Sequence, residues 1–576
     1  MKRIFLSYVL CGLTVGTGLA AAAQEWPQWG QNARHTGTST AVGQTASRIL
    51  DSLVYDPFAA QEQADPLTGN DLLVHYQAPL IDGNDVYMEF KTGTYTGLSN
   101  WETQIWNEKK LHWQAGHLST VWAFQSDWKP APFSIYSTGP FWEPVFHGTL
   151  TGSFVYVPGA GGTIFKLNKS NGSQVARINP FGTIDPDTFT VGPLTSDSSG
   201  NIYYNVVELV HGQAWHADVV SSWLVKVSPA GSIQKATYAS LTPGAPGGND
   251  KCQVGFNVNQ LPWPPAPDAV APTAKCGSQR PALNQAVAVG PDGTIYTVSQ
   301  PHLVTRNGYL LAVNPNLTPK WQASLDERFN DGCGVYLPPN GTPGGCRAGA
   351  NLGVDPATNR PGSGRVIDDS TASVVVLPDG GLLYGTYTRY NYFQGHLMKF
   401  SSTGQFLASY PFGWDTTPSV YQHDGTYSIV FKDNHYSDGG SYCDDNTLCP
   451  PDRTSSNPSN PEQYFITSLD PNLNVEWQWR NTNTQSCSRG PNGQVSCQSD
   501  HPNGFEWCVN ATVIDSTGTT YANSEDGNLY VINPNGTLRE NLFLNLAIGA
   551  AYTPLSMSSD GKIFTQNDGV LFVVGN

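Results

Sequence analysis

The amino-acid sequence predicts an all-β protein, a β-propeller of eight four-stranded blades whose last blade is closed by an N-terminal strand. Three observations predict it. Turn formers and aromatics are abundant, with 59 Gly, 42 Pro and 11% aromatic residues, while charged residues make up only 13% of the 576. One short strand phrase returns along the whole chain, and a second phrase with its own hairpin turn precedes most copies. Low charge with frequent turns suits many short strands.

The first phrase is a pair or triplet of alternating apolar residues, then Asn, Asp or Ser, then a turn. It reads Phe165–Asn168, Leu224–Ser228, Leu310–Asn314, Leu397–Ser401, Ile466–Asp470 and Leu529–Asn533, with Val121–Phe124 as a poorer first copy. Period-two alternation closed by a polar turn is a strand entering a hairpin. The turns Ser-Pro-Ala-Gly, Asn-Pro-Asn-Leu and Asn-Pro-Asn-Gly combine the fixed φ of Pro with residues that tolerate positive φ.

The second phrase is an apolar strand, a tight turn and an aromatic strand, as in Val287–Tyr296, Val374–Gly380, Leu194–Tyr203 and Val513–Gly518. Asp-Gly between apolar strands is a strong hairpin signal. Together the phrases supply four strands per unit, which is a propeller blade. A two-sheet sandwich needs no such repetition. Inner strands start near Pro79, Pro144, Pro193, Gln285, Thr371, Pro418, Ala511 and Pro554, which makes eight. The last unit ends at Val570–Val574 with three strands and no fourth. An open edge would leave unpaired backbone groups, so the unassigned run Arg48–Tyr55 is expected to supply the outer strand.

The domain plan is a leader over residues 1–23 and a single propeller over 24–576. Lys2 and Arg3, an apolar run from Ile4 to Ala20, and Ala21-Ala22-Ala23 before Gln24 form a secretory signal pattern. A membrane anchor is the weaker reading, since the run is short and broken by Gly12, Gly16 and Gly18. The expected location is secreted or periplasmic, with no stable membrane insertion. A net charge of −16 repels phosphate backbones, which argues against nucleic acid as a partner.

Four insertions enlarge the repeat, at 241–284, 327–368, 433–463 and 483–508. Each carries a close cysteine pair: Cys252 with Cys276, Cys333 with Cys346, Cys443 with Cys449, and Cys487 with Cys497, leaving Cys508 over. An oxidising compartment favours such pairs as local disulfides, although spacing alone does not fix connectivity. No CxxC, CxxCH, GxSxG, P-loop or HExxH is present, so thioredoxin, haem, serine-hydrolase, nucleotide and zincin readings lack their motifs. His75, His147, His435 and His501 suit copper or zinc only if the fold gathers them. The acidic loop Asp438–Asp445 lacks EF-hand spacing and reads as a pinned surface loop.

The opening Trp26-Pro-Gln-Trp-Gly-Gln-Asn-Ala-Arg-His-Thr-Gly37 resembles that of PQQ-like propeller proteins. Leu311–Trp321 and Ile466–Trp477 resemble their tryptophan-docking repeat, with Trp321 and Trp477 each seven residues after Asn314 and Asp470. The other copies place Lys235, Ala408 and Glu540 at that offset, so the tryptophan girdle is incomplete. The family contains quinoprotein dehydrogenases as well as assembly scaffolds and binding proteins, so the resemblance implies a fold before an activity.

Residues just before each inner strand are expected to converge on the axis: Gln77, Trp142, Glu143, Asn284, Asp368, Asp369, Trp414, Asp415, Glu506, Asn510 and Tyr552. Of these Trp142, Glu143, Asn284, Asp368, Asp415, Glu506 and Asn510 are the candidate ligand- or cofactor-binding set. Strand-end caps solvating a channel are the bland alternative. Two functions follow. One is a binding or scaffold propeller that presents its loop face and channel to a protein, glycan or small molecule. The other, implied by the resemblance, is a PQQ- and calcium-dependent oxidoreductase of alcohols or sugars. In it Glu143 and Asn284 hold calcium, and Asp369 is the general base.

Overall fold

The computed structural model describes residues 26–66, 76–131, 145–212, 217–253, 271–304, 307–330, 353–355, 358–368, 370–388, 394–436, 462–507, 511–549 and 554–576. Eight antiparallel sheets stand around one axis as the sequence predicts. Blade 1 comprises Leu80–Asp82, Asp85–Gly93, Gln104–Gln114 and His117–Gln125. Blade 2 comprises Thr149–Thr151, Phe154–Gly159, Thr163–Asn168 and Gln174–Ile178. Blades 3, 6 and 7 begin at Thr188–Ser196, Ser419–His423 and Val513–Ile514. In blades 4 and 5 the inner position is shared by two short strands, Gln279–Arg280 with Ala288–Val289, and Gly364–Arg365 with Val375–Val376.

Blade 8 is closed as expected. Arg48–Val54 pairs antiparallel with Val570–Gly575, from Arg48 opposite Gly575 to Val54 opposite Val570. The Val121–Phe124 reading needs correction. These residues belong to the outer strand of blade 1, not to a third strand, because the third strand is the long run Gln104–Gln114.

Ahead of the closing strand, residues 26–44 form a strap that visits the blades in order. Trp26 bridges Ile81 of blade 1, and the Pro27 carbonyl accepts from Leu150 N–H of blade 2. The Gln28 amide exchanges two bonds with Ser196 of blade 3. The carbonyls of Ala33, Arg34, Thr36 and Gly37 accept from Val289, Val376, Val420 and Ile514 of blades 4 to 7. Gln44 N–H donates to Gly561 of blade 8. The strap thus satisfies one inner-strand end per blade, groups that burial would otherwise leave costly. All inner strands run toward it.

This polarity sorts the two ends of the ring. The strap end carries the strap and tight turns. At the opposite end the chain leaves each outer strand for the next blade, and there the insertions at 241–284, 327–368 and 483–508 depart. The insertion placed at 433–463 departs at the same end, but only after His435, because Thr426–His435 is strand and pairing resumes at Gln463. Two disulfides are formed as local staples, Cys252–Cys276 and Cys487–Cys497. Cys333, Cys346, Cys443, Cys449 and Cys508 lie outside the described residues.

Neighbouring blades dock in two ways. Trp122, Trp321 and Trp477 on outer strands lie over Gly172, Gly404 and Gly536 in the turn of the next blade. The indole N–H of Trp122 donates to the Lys169 carbonyl, and that of Trp321 to the Ser402 carbonyl. Trp122 therefore joins the docking set, missed because its strand was misplaced. Where the turn carries Leu317 or Leu473 instead of Gly, a lysine does the work. Lys226 reaches the Pro315 carbonyl and Lys399 the Pro471 carbonyl. Glu540, at the docking position of blade 7, accepts from Ala46 N–H beside the closing strand.

The glycines under the indoles give a controlled comparison. A Cβ at Gly404 would sit 2.6 Å from the Trp321 ring, whereas at Gly231, which shares the same positive φ, it meets nothing within 4 Å. Both substitutions carry the backbone penalty, and only the first adds overpacking. Gly404→Ala is expected to cost about 1–3 kcal/mol more than Gly231→Ala. Equal shifts in urea midpoint for the two would contradict the docking role.

Candidate functional site

Among the described residues, side chains from the strap and several blades pack together near the axis. Trp29, Tyr76, Ala78, Val145, Ala286 and Ala511 form one buried cluster. Trp29 packs on Tyr76 with ring centroids 5.4 Å apart and edge-on against His35 at 5.0 Å. The Tyr76 hydroxyl donates to the Thr371 carbonyl at 2.8 Å. Tyr76 precedes blade 1 and Thr371 lies in blade 5, which stands opposite in an eightfold ring, so this bond crosses the axis. Burial above all, and then the charge of Asp415, pushes the Tyr76 hydroxyl pKa well up.

At the insertion end the ring groups are paired with one another. Arg280, fully buried, grips both carboxylate oxygens of Asp368 at 2.7 and 2.6 Å. Its Nε donates to His302 at 2.8 Å, and Gln300 adds a third bond to Asp368. Asn284 Nδ2 donates to the Asp368 carbonyl at 3.0 Å, so the structure brings Asn284 and Asp368 together. Asp415 is fully buried. It accepts from the Ser370 hydroxyl and Thr371 N–H, with Lys432 at 3.8 Å. Glu506 accepts from the Tyr436 hydroxyl, and Trp414 lies 6.0 Å from the Tyr436 ring. Gln77 donates to Glu89. Trp142, Glu143, Asp369, Asn510 and Tyr552 lie outside the described residues, as does His75.

Calcium takes carboxylate and carbonyl oxygens at close range. The oxygens of Asp368 are already held by a guanidinium and an amide, a geometry suited to a structural ion pair. Asp415 is likewise engaged by a hydroxyl and a backbone N–H. Asp368 and Asp415 are therefore both committed to partners within the protein. Of the residues assigned to calcium–quinone chemistry, only Asn284 is described. Among the described residues no group of three or more His, Cys, Asp or Glu side chains is placed to hold a metal. The histidines are dispersed: His147 contacts the Gly148 carbonyl, His435 contacts Asp433, and His501 contacts Asp500.

Arg280, Tyr76, Trp29, His35 and Lys432 are the site residues that sequence reasoning missed. Trp29 and His35 stood in the opening motif, and Arg280 sits between Gln279 and Pro281 just ahead of an inner strand.

Buried imidazoles make the fold acid-sensitive. Burial pushes His35 and His147 down to about 4, against a weaker opposing pull from backbone carbonyls. A depressed histidine keeps the folded form unprotonated while the unfolded chain binds protons below its ordinary value of 6.5. Stability is fully present above that value and is lost as pH falls toward about 4. Each group contributes on the order of 3 kcal/mol across this window. Glu108 acts in the opposite sense. Burial raises it to about 8, so its contribution is present below 4.5 and is lost as pH rises toward 8. The windows overlap and two histidines outweigh one glutamate there, so urea midpoints measured across pH are expected to peak near 6.5, and His147→Gln should flatten the acid limb. An unchanged acid limb in that variant would refute the assignment.

No family model matches the chain, and no curated protein matches it by sequence. Solved structures do match. A quinohemoprotein alcohol dehydrogenase from Comamonas testosteroni is 11% identical with a TM-score of 0.50, covering 96% of this chain and 81% of that one. A quinohemoprotein alcohol dehydrogenase from Pseudomonas putida HK5 gives 10% identity and 0.48, over 96% and 76% of the two chains. BamB from Moraxella catarrhalis gives 11% and 0.39, over 87% and 95%. Among the described residues no helix is long and apolar enough to cross a membrane. At these identities the likeness shows the fold alone, and that fold is a β-propeller of the architecture PQQ quinohemoproteins use.

Proposed function

We propose that this chain is a non-catalytic binding or scaffold propeller, exported to the periplasm or beyond, that presents its insertion end to a ligand. The observation that carries the reading is the asymmetry of the ring. One end is sealed by the strap and short turns, while all four insertions leave from the other. Long loops on a rigid scaffold are where proteins place recognition. The packing of Trp29 on Tyr76 and the ion pair of Arg280 with Asp368 add support, because both commit axial groups to structural contacts.

The quinoprotein alternative makes the opposite forecast. PQQ, when bound, would supply the redox chemistry; here Glu143 and Asn284 would hold calcium, and Asp369 would take the proton. Incubation with calcium and PQQ followed by desalting is expected to leave no quinone absorbance and no dye-linked alcohol or sugar oxidation. In the producing cells, a photo-crosslinker at Gln498 on the insertion end is expected to capture a discrete partner, and one at Asn535 on the strap end is not. Retained quinone with oxidation that Asp369→Asn abolishes would overturn the binding reading. So would capture from the strap end alone.

A further inference from the structure

The insertion at 483–508 builds a recess with an unusual lining. Its described part is a hairpin, Gln485–Arg489 paired with Val495–Ser499, stapled by Cys487–Cys497. The hairpin does not float. Arg489 donates from Nε to the Leu544 carbonyl and from Nη2 to the Phe543 carbonyl, and Ala547 N–H donates to the Cys487 carbonyl. It thereby stands as a wall against the outer strand of blade 7, Leu538–Phe543. Between this wall and the end of blade 6 lies a recess of about 460 Å³.

Among the described residues no Asp, Glu, Lys, Arg or His lines this recess, on a chain that carries a net charge of −16. The lining combines aromatic rings, Trp479, Tyr530 and Phe543, with the side-chain amides of Asn481, Asn483, Asn528 and Asn541. Trp479 and Tyr530 pack with centroids 5.0 Å apart, which fixes the platform. Two of the amides are structural: Asn481 donates to Ser524 and Asn483 to Asp526. The other two face each other, Asn541 Nδ2 donating to Asn528 Oδ1 at 3.3 Å. That bond leaves the Asn541 carbonyl as an acceptor and the Asn528 amino group as a donor.

A donor and an acceptor side by side suit a hydroxyl, which does both. A flat aromatic face suits the apolar face of a pyranose ring. A charged ligand would be desolvated here without a counter-charge, which is costly. We infer that this recess is a binding site for a neutral oligosaccharide, placed by the disulfide-stapled hairpin at the edge of blades 6 and 7. The inference rests on the binding reading above and names its ligand class.

The test uses the full oxidised protein and a panel of gluco-, manno-, galacto- and chito-oligosaccharides, with sialylated and sulfated sugars as charged controls. Binding is read by tryptophan fluorescence and calorimetry up to millimolar sugar. At least one neutral sugar is expected to saturate. Its affinity is expected to fall at least tenfold in Asn541→Ala and in Leu538→Trp, a change at an exposed lining position that fills the recess. The double variant Cys487→Ser/Cys497→Ser is expected to bind more weakly with its propeller intact by far-UV circular dichroism. No neutral sugar bound, binding confined to charged sugars, or binding untouched by Asn541→Ala and Leu538→Trp would each overturn the inference. The failures are separable. Sugar bound elsewhere leaves the binding propeller standing, whereas PQQ-dependent oxidation removes it whatever the sugar result.

Discussion

Replacing Trp29 with Ala is expected to lower the unfolding free energy by about 3–5 kcal/mol, the range for truncating a buried large aromatic. Trp29 is 1% exposed and touches both Tyr76 and His35. Its loss opens a void on the axis, where eight blades converge and none can shift inward alone. The Tyr76 ring then loses the face that holds its hydroxyl toward Thr371. Trp29→Phe keeps an aromatic face and should recover a substantial part of the loss. Urea unfolding at neutral pH reads the difference, with hydrogen exchange reporting whether protection falls at Val289, Val376 and Val420 N–H. A shift in unfolding free energy under about 1 kcal/mol would mean that the axial packing is incidental.

Removing the Arg280 guanidinium while leaving Asp368 should be comparably severe. A buried charge stripped of its partner costs up to about 3–5 kcal/mol; Asp368 keeps 14% of its side chain exposed, which lowers the figure, while Gln300 and His302 lose a neighbour too. Replacing both partners by apolar residues of similar size avoids the orphaned charge. Arg280→Met is therefore expected to be strongly destabilised, and Arg280→Met/Asp368→Leu to regain most of the loss. A double-mutant cycle in urea measures the coupling. Additive effects would show that the two residues do not act as a pair. The single variant also bears on function, since a carboxylate released from Arg280 would be a better cation ligand than the native one. Calcium should therefore raise the melting temperature of Arg280→Met, and leave that of the native chain unchanged.

What the sequence revealed was whatever its local pattern encodes. Alternation and Pro-Asn or Asp-Gly turns lie within ten residues of each other, so blades and inner-strand starts were legible. The closing strand was legible by elimination, because Arg48–Tyr55 had strand character and no unit to join. The strap was not. Trp26–Gln44 has no period, since its bonds go to a different blade every few residues. Trp122 was misplaced because the second and third strands of blade 1, Asp85–Gly93 and Gln104–Gln114, are long, so the run resembling the phrase falls one strand later. Site partners were the least legible. Strand-start positions identified Asn284, Asp368 and Asp415, but the packing of blade 4 against blade 5, not local sequence, brings Arg280 to Asp368 across 88 residues.

The strap and the closing strand also set an order of events. Residues 26–54 are made first, yet their partners reach from Ile81 to Gly575, so the earliest segment of the chain is among the last to dock. Ring closure must wait until Gly575 has been made, and pairing over such separations makes the final step slow. Until then blade 8 offers a bare edge and the axial tryptophan stays in water, a state prone to association.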